Sequence, residues 1–240
     1  MNSKRNASAF INYAHRGASE YLPENTLLAF YTGIYMGANG IETDIRHAKD
    51  GELVLFHDGS LERVCSVTGA VEDYTFAELQ QFFVRKNGFE DKIVRFEEFL
   101  QRFAFRDITF AIELKGDDVE EGTAELLRRY GMADKAVVTS FGFDKISKFR
   151  RIAPEFQIGF LAREVNEKII SDLKAIGAEE ICPKAEQITP ELVRDLHSRG
   201  FRVRAWGVNN EDLMRNAVAC GADGMTVNFP DKLTQLLRDR

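Results

Sequence analysis

The sequence predicts an α/β protein, a closed (β/α)₈ TIM barrel with a small insertion after the second strand. Eight short apolar runs alternate with amphipathic stretches of helical period, the pattern of a parallel sheet covered by helices. Gly131, Gly177, Gly200 and Gly221 each follow a helical stretch, where a C-terminal cap would stand. The 240 residues suit a fold whose usual length is about 250. An open doubly wound sheet is the alternative, but no Gly-rich phosphate loop follows the first strand.

The elements follow in order. Strands are expected near Ile11–Ala14, Gly40–Ile45, Ile108–Leu114, Ala136–Ser140, Gln157–Leu161, Glu180–Pro183, Arg202–Trp206 and Gly224–Val227. Helical periods lie between them, at Thr26–Met36, Phe96–Phe103, Glu120–Tyr130, Phe143–Arg151, Glu167–Ile176, Pro190–Arg199 and Asn210–Ala219. Pro190 opens its helix, the one position where a missing N–H costs nothing. Ile45 and Leu53 are too close for a parallel crossover, which needs about a dozen residues. Asp50-Gly51 between them is a turn signal, so Glu52–Phe56 is expected to fold back as a hairpin. Residues 59–92 carry one short helical pattern, Phe76–Phe83, and read as an insertion over the barrel mouth. The whole chain, 1–240, reads as a single domain.

With 44% hydrophobic and 29% charged residues, the composition is that of an ordinary water-soluble globular protein. A net charge of −6 without a basic stretch excludes a general nucleic-acid binder. No run reaches the length of a membrane span, and no signal-peptide core follows the polar start. Cys65, Cys182 and Cys220 form no close pair, which suggests reduced thiols and a cytoplasmic setting.

Ionisable groups at the ends of apolar strands carry the functional signal. His15 follows Phe10–Ala14, Glu42 and Asp44 lie in Gly40–Ile45, His57 follows Leu53–Phe56, and Glu113 and Lys115 end the run from Phe110. Burying such groups is costly unless they are paired or bound to metal. Residues two apart share a strand face, so Glu42 points with Asp44, and Glu113 with Lys115. Strand carboxyl ends form the active-site face of a barrel. Three carboxylates suit a hard cation, Mg²⁺ or Ca²⁺, better than zinc. Arg16 and Lys115 could hold phosphate. With a divalent cation added, these five charged groups total plus one, which a monoanionic phosphodiester would neutralise. His15 and His57 then read as an acid and a base.

At these residues the chain resembles the glycerophosphodiester phosphodiesterases. The resemblance runs through His15-Arg16-Gly17, Pro23-Glu24-Asn25-Thr26, Glu42-x-Asp44, Lys49-Asp50-Gly51, His57-Asp58, Glu113-Leu114-Lys115, Ser140-Phe141, Trp206 to Asn209, and Asp223-Gly224 before Pro230. It implies metal ligation by Glu42, Asp44 and Glu113, and acid/base catalysis by His15 and His57. It implies substrate binding by Arg16, Lys115 and Trp206. The implied reaction releases an alcohol and sn-glycerol 3-phosphate from a glycerophosphodiester. The glycerol 2-hydroxyl would be the internal nucleophile, and water would open the cyclic phosphate that results. Leu61–Cys65 lacks the family's threonine pair after Arg63, Gly207 replaces a common threonine, and Asn228 replaces a frequent aspartate.

Plainer roles are open for some residues. Glu24 and Asn25 either cap the helix that follows or take part in catalysis. His47 and His197 read as surface or structural, and the Phe-rich segments as core. Trp206 shares a face with Arg204 if their strand is regular. Two other functions are compatible with the sequence: a lysophospholipase D-like phosphodiesterase, and a catalytically silent binder of a phosphate ligand. A sugar isomerase on the same fold is a weaker option.

Overall fold

Eight parallel strands close into a ring in the computed structural model, which describes residues 10–239. The strands are β1 (Ile11–His15), β2 (Gly40–His47), β3 (Leu53–Leu55), β4 (Val84–Lys86), β5 (Phe89–Asp91), β6 (Thr109–Leu114), β7 (Ala136–Ser140), β8 (Gln157–Ala162), β9 (Glu180–Pro183), β10 (Arg202–Val208) and β11 (Gly224–Val227). All except β3, β4 and β5 belong to the barrel. β1 pairs with both β11 and β2, which closes it. β3 folds back antiparallel on β2, as the Asp50-Gly51 turn predicts.

Helices follow the barrel strands because each segment carries an apolar stripe, and four of them also carry a side-chain start signal. Thr26, Asn166, Thr189 and Asn210 accept the backbone N–H of Ala29, Ile169, Leu192 and Leu213, one orphan donor per helix start. The four cap glycines all adopt positive φ, from 65° to 88°. Phe30, Phe99, Phe103 and Phe110 are fully buried between the helices and the outer face of the barrel. They meet edge-on or tilted, with Phe30 and Phe99 centroids 4.9 Å apart. A final helix, Pro230–Arg238, was not anticipated from the sequence. No helix among the described residues is long and apolar enough to cross a membrane.

The segment after β3 is more structured than its sequence suggests. It holds short helices at Glu62–Cys65 and Phe76–Leu79, a 3₁₀ turn at Val71–Asp73, and the β4–β5 hairpin. The helix expected at Phe76–Phe83 therefore stops at Leu79. The hairpin turns at Asn87-Gly88, with φ of 52° and 81°, the residue pair such a turn favours. Leu61, Val64, Val71, Phe76, Leu79 and Val84 form an apolar cluster with Val54 and Phe56 of the fold-back. That cluster fixes the chain just before His57.

The barrel interior holds a fully buried ion pair. Arg204 Nε donates to Glu180 Oε1 at 3.1 Å, and the guanidinium lies over the Tyr13 ring at 5.1 Å. Breaking such a pair on one side leaves an uncompensated charge. Glu180→Ala should therefore cost about 3–5 kcal/mol in urea unfolding. Glu180→Leu combined with Arg204→Met should cost less than the single change. A near-neutral single variant would show that the pair does not hold the barrel.

Candidate active site

Strand register brings the sequence-predicted residues to one level. Asp44 pairs with Glu113 across β2 and β6, and His15 pairs with Glu42 across β1 and β2. Phe56 donates its N–H to the Asp44 carbonyl, so His57, one residue on, emerges beside the same strand. Ligand oxygens of Glu42, Asp44 and Glu113 lie within 4.8 Å of one another, and all three residues are buried.

Such crowding has electrostatic consequences. Burial, together with Asp44 and Glu113, pushes Glu42 well above the usual carboxylate range. Burial and the Asp44 charge push Glu113 up to about 7, although Lys115 partly offsets them. Asp44 behaves oppositely. Burial would raise it, but Arg16, Lys115 and His57 hold it well below its ordinary value. Arg16 Nε lies 3.2 Å from Asp44 Oδ2, and Lys115 Nζ lies 3.8 Å from Oδ1 and 2.8 Å from Glu113.

The residues the sequence left ambiguous fall into place here. Thr26, not Glu24 or Asn25, caps the first helix. Asn25 Nδ2 donates to Asp44 Oδ2 at 2.9 Å, and its Oδ1 accepts from Thr43. Glu24 accepts from Arg16 at 2.9 Å and from both terminal nitrogens of Arg63. Arg16 and Asn25 both have left-handed backbones, with φ of 54° and 56°. That conformation is strained for residues other than glycine and tends to persist where surroundings over-determine it.

Each histidine has one ring nitrogen fixed. His15 Nδ1 lies 2.6 Å from Asn228 Oδ1, which also accepts the Ser19 hydroxyl. His15 Nε2 lies 3.8 Å from Glu42 Oε2. Burial and Arg16 lower His15 to about 3, so it is neutral near pH 7. His57 Nδ1 lies 2.6 Å from Asp58 Oδ1. Because a carboxylate accepts, Nδ1 carries the proton and Nε2 has the lone pair when the ring is neutral. Burial lowers His57 as well. Asn228, Asp58 and Arg63 were not singled out as site residues from the sequence, since only the fold puts them beside the histidines.

Trp206 lies beyond Phe141 from this cluster. The two rings meet edge-on at 4.9 Å, and Lys115 Nζ is 5.4 Å from the Phe141 centroid. The expected regular alternation of Arg204 and Trp206 is interrupted. Ala205 pairs with Met225 but Val208 with Val227, so β10 has one extra residue there. Gly207 takes φ of 70° within that bulge. Arg204 is fully buried while Trp206 is only partly so, and Trp206 Nε1 donates to the Ala162 carbonyl.

The donor set fits a hard divalent cation. Asp44 Oδ1 is buried and has no hydrogen-bond donor among the described residues. All the candidate donor atoms are oxygens, as Mg²⁺ or Ca²⁺ prefers. The network also revises the charge count made from sequence. Adding Glu24, Asp58 and Arg63 gives five carboxylates against three cationic side chains. The formal excess is two negative charges, which one divalent cation matches before any phosphate arrives. A surface concavity of about 530 Å³ lies elsewhere, between the last two helices, and its Lys232 is already paired with Glu211.

Comparison with known proteins identifies the family of the chain. The chain is 32% identical to an uncharacterised protein of Bacillus subtilis, over 95% of this chain and 98% of that one. It is 31% identical to a glycerophosphodiester phosphodiesterase of Bacillus altitudinis, over 93% and 96%. It shares its fold with an Oleispira antarctica phosphodiesterase solved in complex with the product sn-glycerol-3-phosphate, at a TM-score of 0.85 and 23% identity, over 94% and 96% of the two chains. The model of the glycerophosphoryl diester phosphodiesterase family matches residues 15–232. On that match, which takes in every charged group described above, the chain belongs to the glycerophosphoryl diester phosphodiesterase family of enzymes.

Proposed function

We propose that this protein hydrolyses glycerophosphodiesters to an alcohol and sn-glycerol 3-phosphate, using Mg²⁺ or Ca²⁺ and paired histidine acid/base catalysis. The observation that carries the reading is the meeting of three buried carboxylates between two histidines. The product found in the Oleispira neighbour supports the substrate class. Glu42, Asp44 and Glu113 would hold the cation. Bound there, it would neutralise charge developing on the phosphoryl oxygens.

The chain's own groups supply the rest. Arg16 and Lys115 would hold the phosphate oxygens, while Trp206 and Phe141 offer the glycerol carbons an apolar wall. The glycerol 2-hydroxyl attacks phosphorus, and holding it there removes a bimolecular entropy cost. One histidine, neutral, takes the hydroxyl proton at Nε2, and the other, entering the step as the imidazolium, gives its Nε2 proton to the departing alkoxide. The P–O bond to the alcohol breaks as the ring bond forms. Water then opens the cyclic phosphate, with the two histidines exchanging roles. The protein works as one barrel domain, with residues 59–92 as an insertion beside the site. Its three free cysteines accord with a reducing, cytoplasmic setting.

A coupled assay for glycerol 3-phosphate over a panel of headgroup diesters, with Mg²⁺ or Ca²⁺ and then with chelator, should give product only with metal. Product from acylated substrates alone would move the activity to lysophospholipids, and binding without turnover would leave a silent ligand binder. His15→Ala and His57→Ala should each lower kcat by at least about 100-fold in a folded protein. Near-normal turnover would remove that residue from the mechanism.

Metal binding should also depend on pH. Glu113 is raised to about 7 in the folded chain from 4.5. Without metal, the folded state therefore keeps a proton that the unfolded state loses, and stability falls as pH rises through that window. The cation needs the ionised form. The gain in melting temperature on adding Mg²⁺ or Ca²⁺ should be larger at pH 8 than at pH 6. Equal gains would mean that these carboxylates are not the ligands.

A further inference from the structure

His57 is held at two separate points. Its backbone carbonyl accepts from Arg46 Nε at 3.1 Å, and Arg46 in turn pairs with Glu72. Its ring is held by Asp58 alone, since Nδ1 to Oδ1 is the one hydrogen bond of that side chain among the described residues. Asp58 is held by Arg63, whose Nε donates to Oδ2 at 2.5 Å. The other edge of the same guanidinium grips Glu24 with both terminal nitrogens, at 2.9 and 2.6 Å. Arg63 stands on the short helix Glu62–Cys65 of the segment after β3, whereas Glu24 belongs to the loop after β1.

We infer that Arg63 is a positioning residue, which clamps Asp58 against the barrel loop and so fixes the His57 ring with Nε2 free. The inference rests on the catalytic reading of His57. One planar fork serves two carboxylates here, a geometry that a lysine point charge cannot reproduce. Without the fork, Asp58 loses the partner of its second oxygen and can turn away, and the ring turns with it. The backbone stays, because Arg46 and the Phe56–Asp44 hydrogen bond hold it independently. Arg16 also stays, because it retains both Asp44 and Glu24. The Arg63 side chain is 49% exposed, so its loss opens no cavity, and the largely buried Glu24 keeps Arg16 as its partner.

The test is a double-mutant cycle on glycerophosphocholine or glycerophosphoglycerol, whichever turns over faster, with Mg²⁺ present. Arg63→Gln should lower kcat about 10- to 100-fold, the range for losing a histidine's orienting partner. KM should change by no more than about twofold. Arg63→Lys should recover little of the loss. In a His57→Ala background, Arg63→Gln should cost nothing further, because there is no ring left to position. An equal loss in both backgrounds would overturn the inference, as would a change in KM alone. Full activity of Arg63→Gln beside an impaired His57→Ala would overturn it while leaving the catalytic histidine standing. Full activity of His57→Ala would overturn both. A melting temperature close to that of the parent confirms that each variant is folded.

Discussion

Three carboxylates buried within 4.8 Å of one another are the constraint on which this structure turns. Full ionisation of all three without added positive charge would be prohibitive. The chain answers only in part. Arg16, Lys115 and Asn25 keep Asp44 ionised, while Glu42 and Glu113 are pushed upward. The formal deficit of two charges equals one divalent cation. Local backbone strain serves the same arrangement. Arg16 and Asn25 accept left-handed conformations, and their side chains both reach Asp44.

The fold divides stability from chemistry. Tyr13, Glu180 and Arg204 fill the interior with a fully buried ion pair. Toward the strand carboxyl ends lie the groups of the candidate site, among them Asp44 Oδ1, which has no hydrogen-bond donor among the described residues. The fold-back strand β3 links the two regions. Its Val54 joins the apolar cluster of residues 61–84 while Leu53 and Leu55 pack into the main core, and its continuation carries His57 to the carboxylates.

Much of this was legible in the sequence, for reasons that are local. A period of two put Glu42 with Asp44 and Glu113 with Lys115. Asp50-Gly51 marked the reversal that carries His57 back. Glycines marked helix ends because only they take positive φ cheaply. The rest was not legible because it depends on which loops meet. Glu24 and Asn25 looked like cap candidates until the fold gave the cap to Thr26 and turned both residues inward. Asp58 carries no role in the sequence pattern, because only the fold shows that Arg63, five residues on, holds it. Asn228 stood out only as a departure from the family pattern, yet its amide fixes His15 from across the barrel seam. The bulge at Trp206 leaves no trace in the apolar alternation, and Gly207 with its positive φ is its one local mark. Asn87-Gly88 is a local hairpin signal of the same kind as Asp50-Gly51.

Anomalous diffraction from crystals soaked in Mn²⁺, an oxygen-preferring stand-in for Mg²⁺, tests the central claim most directly. The account predicts one strong peak bounded by Glu42, Asp44 and Glu113, with the Asp44 Oδ1 atom among its ligands. An empty site at saturating Mn²⁺, with Lys115 and Arg16 still closed on Asp44, would contradict it.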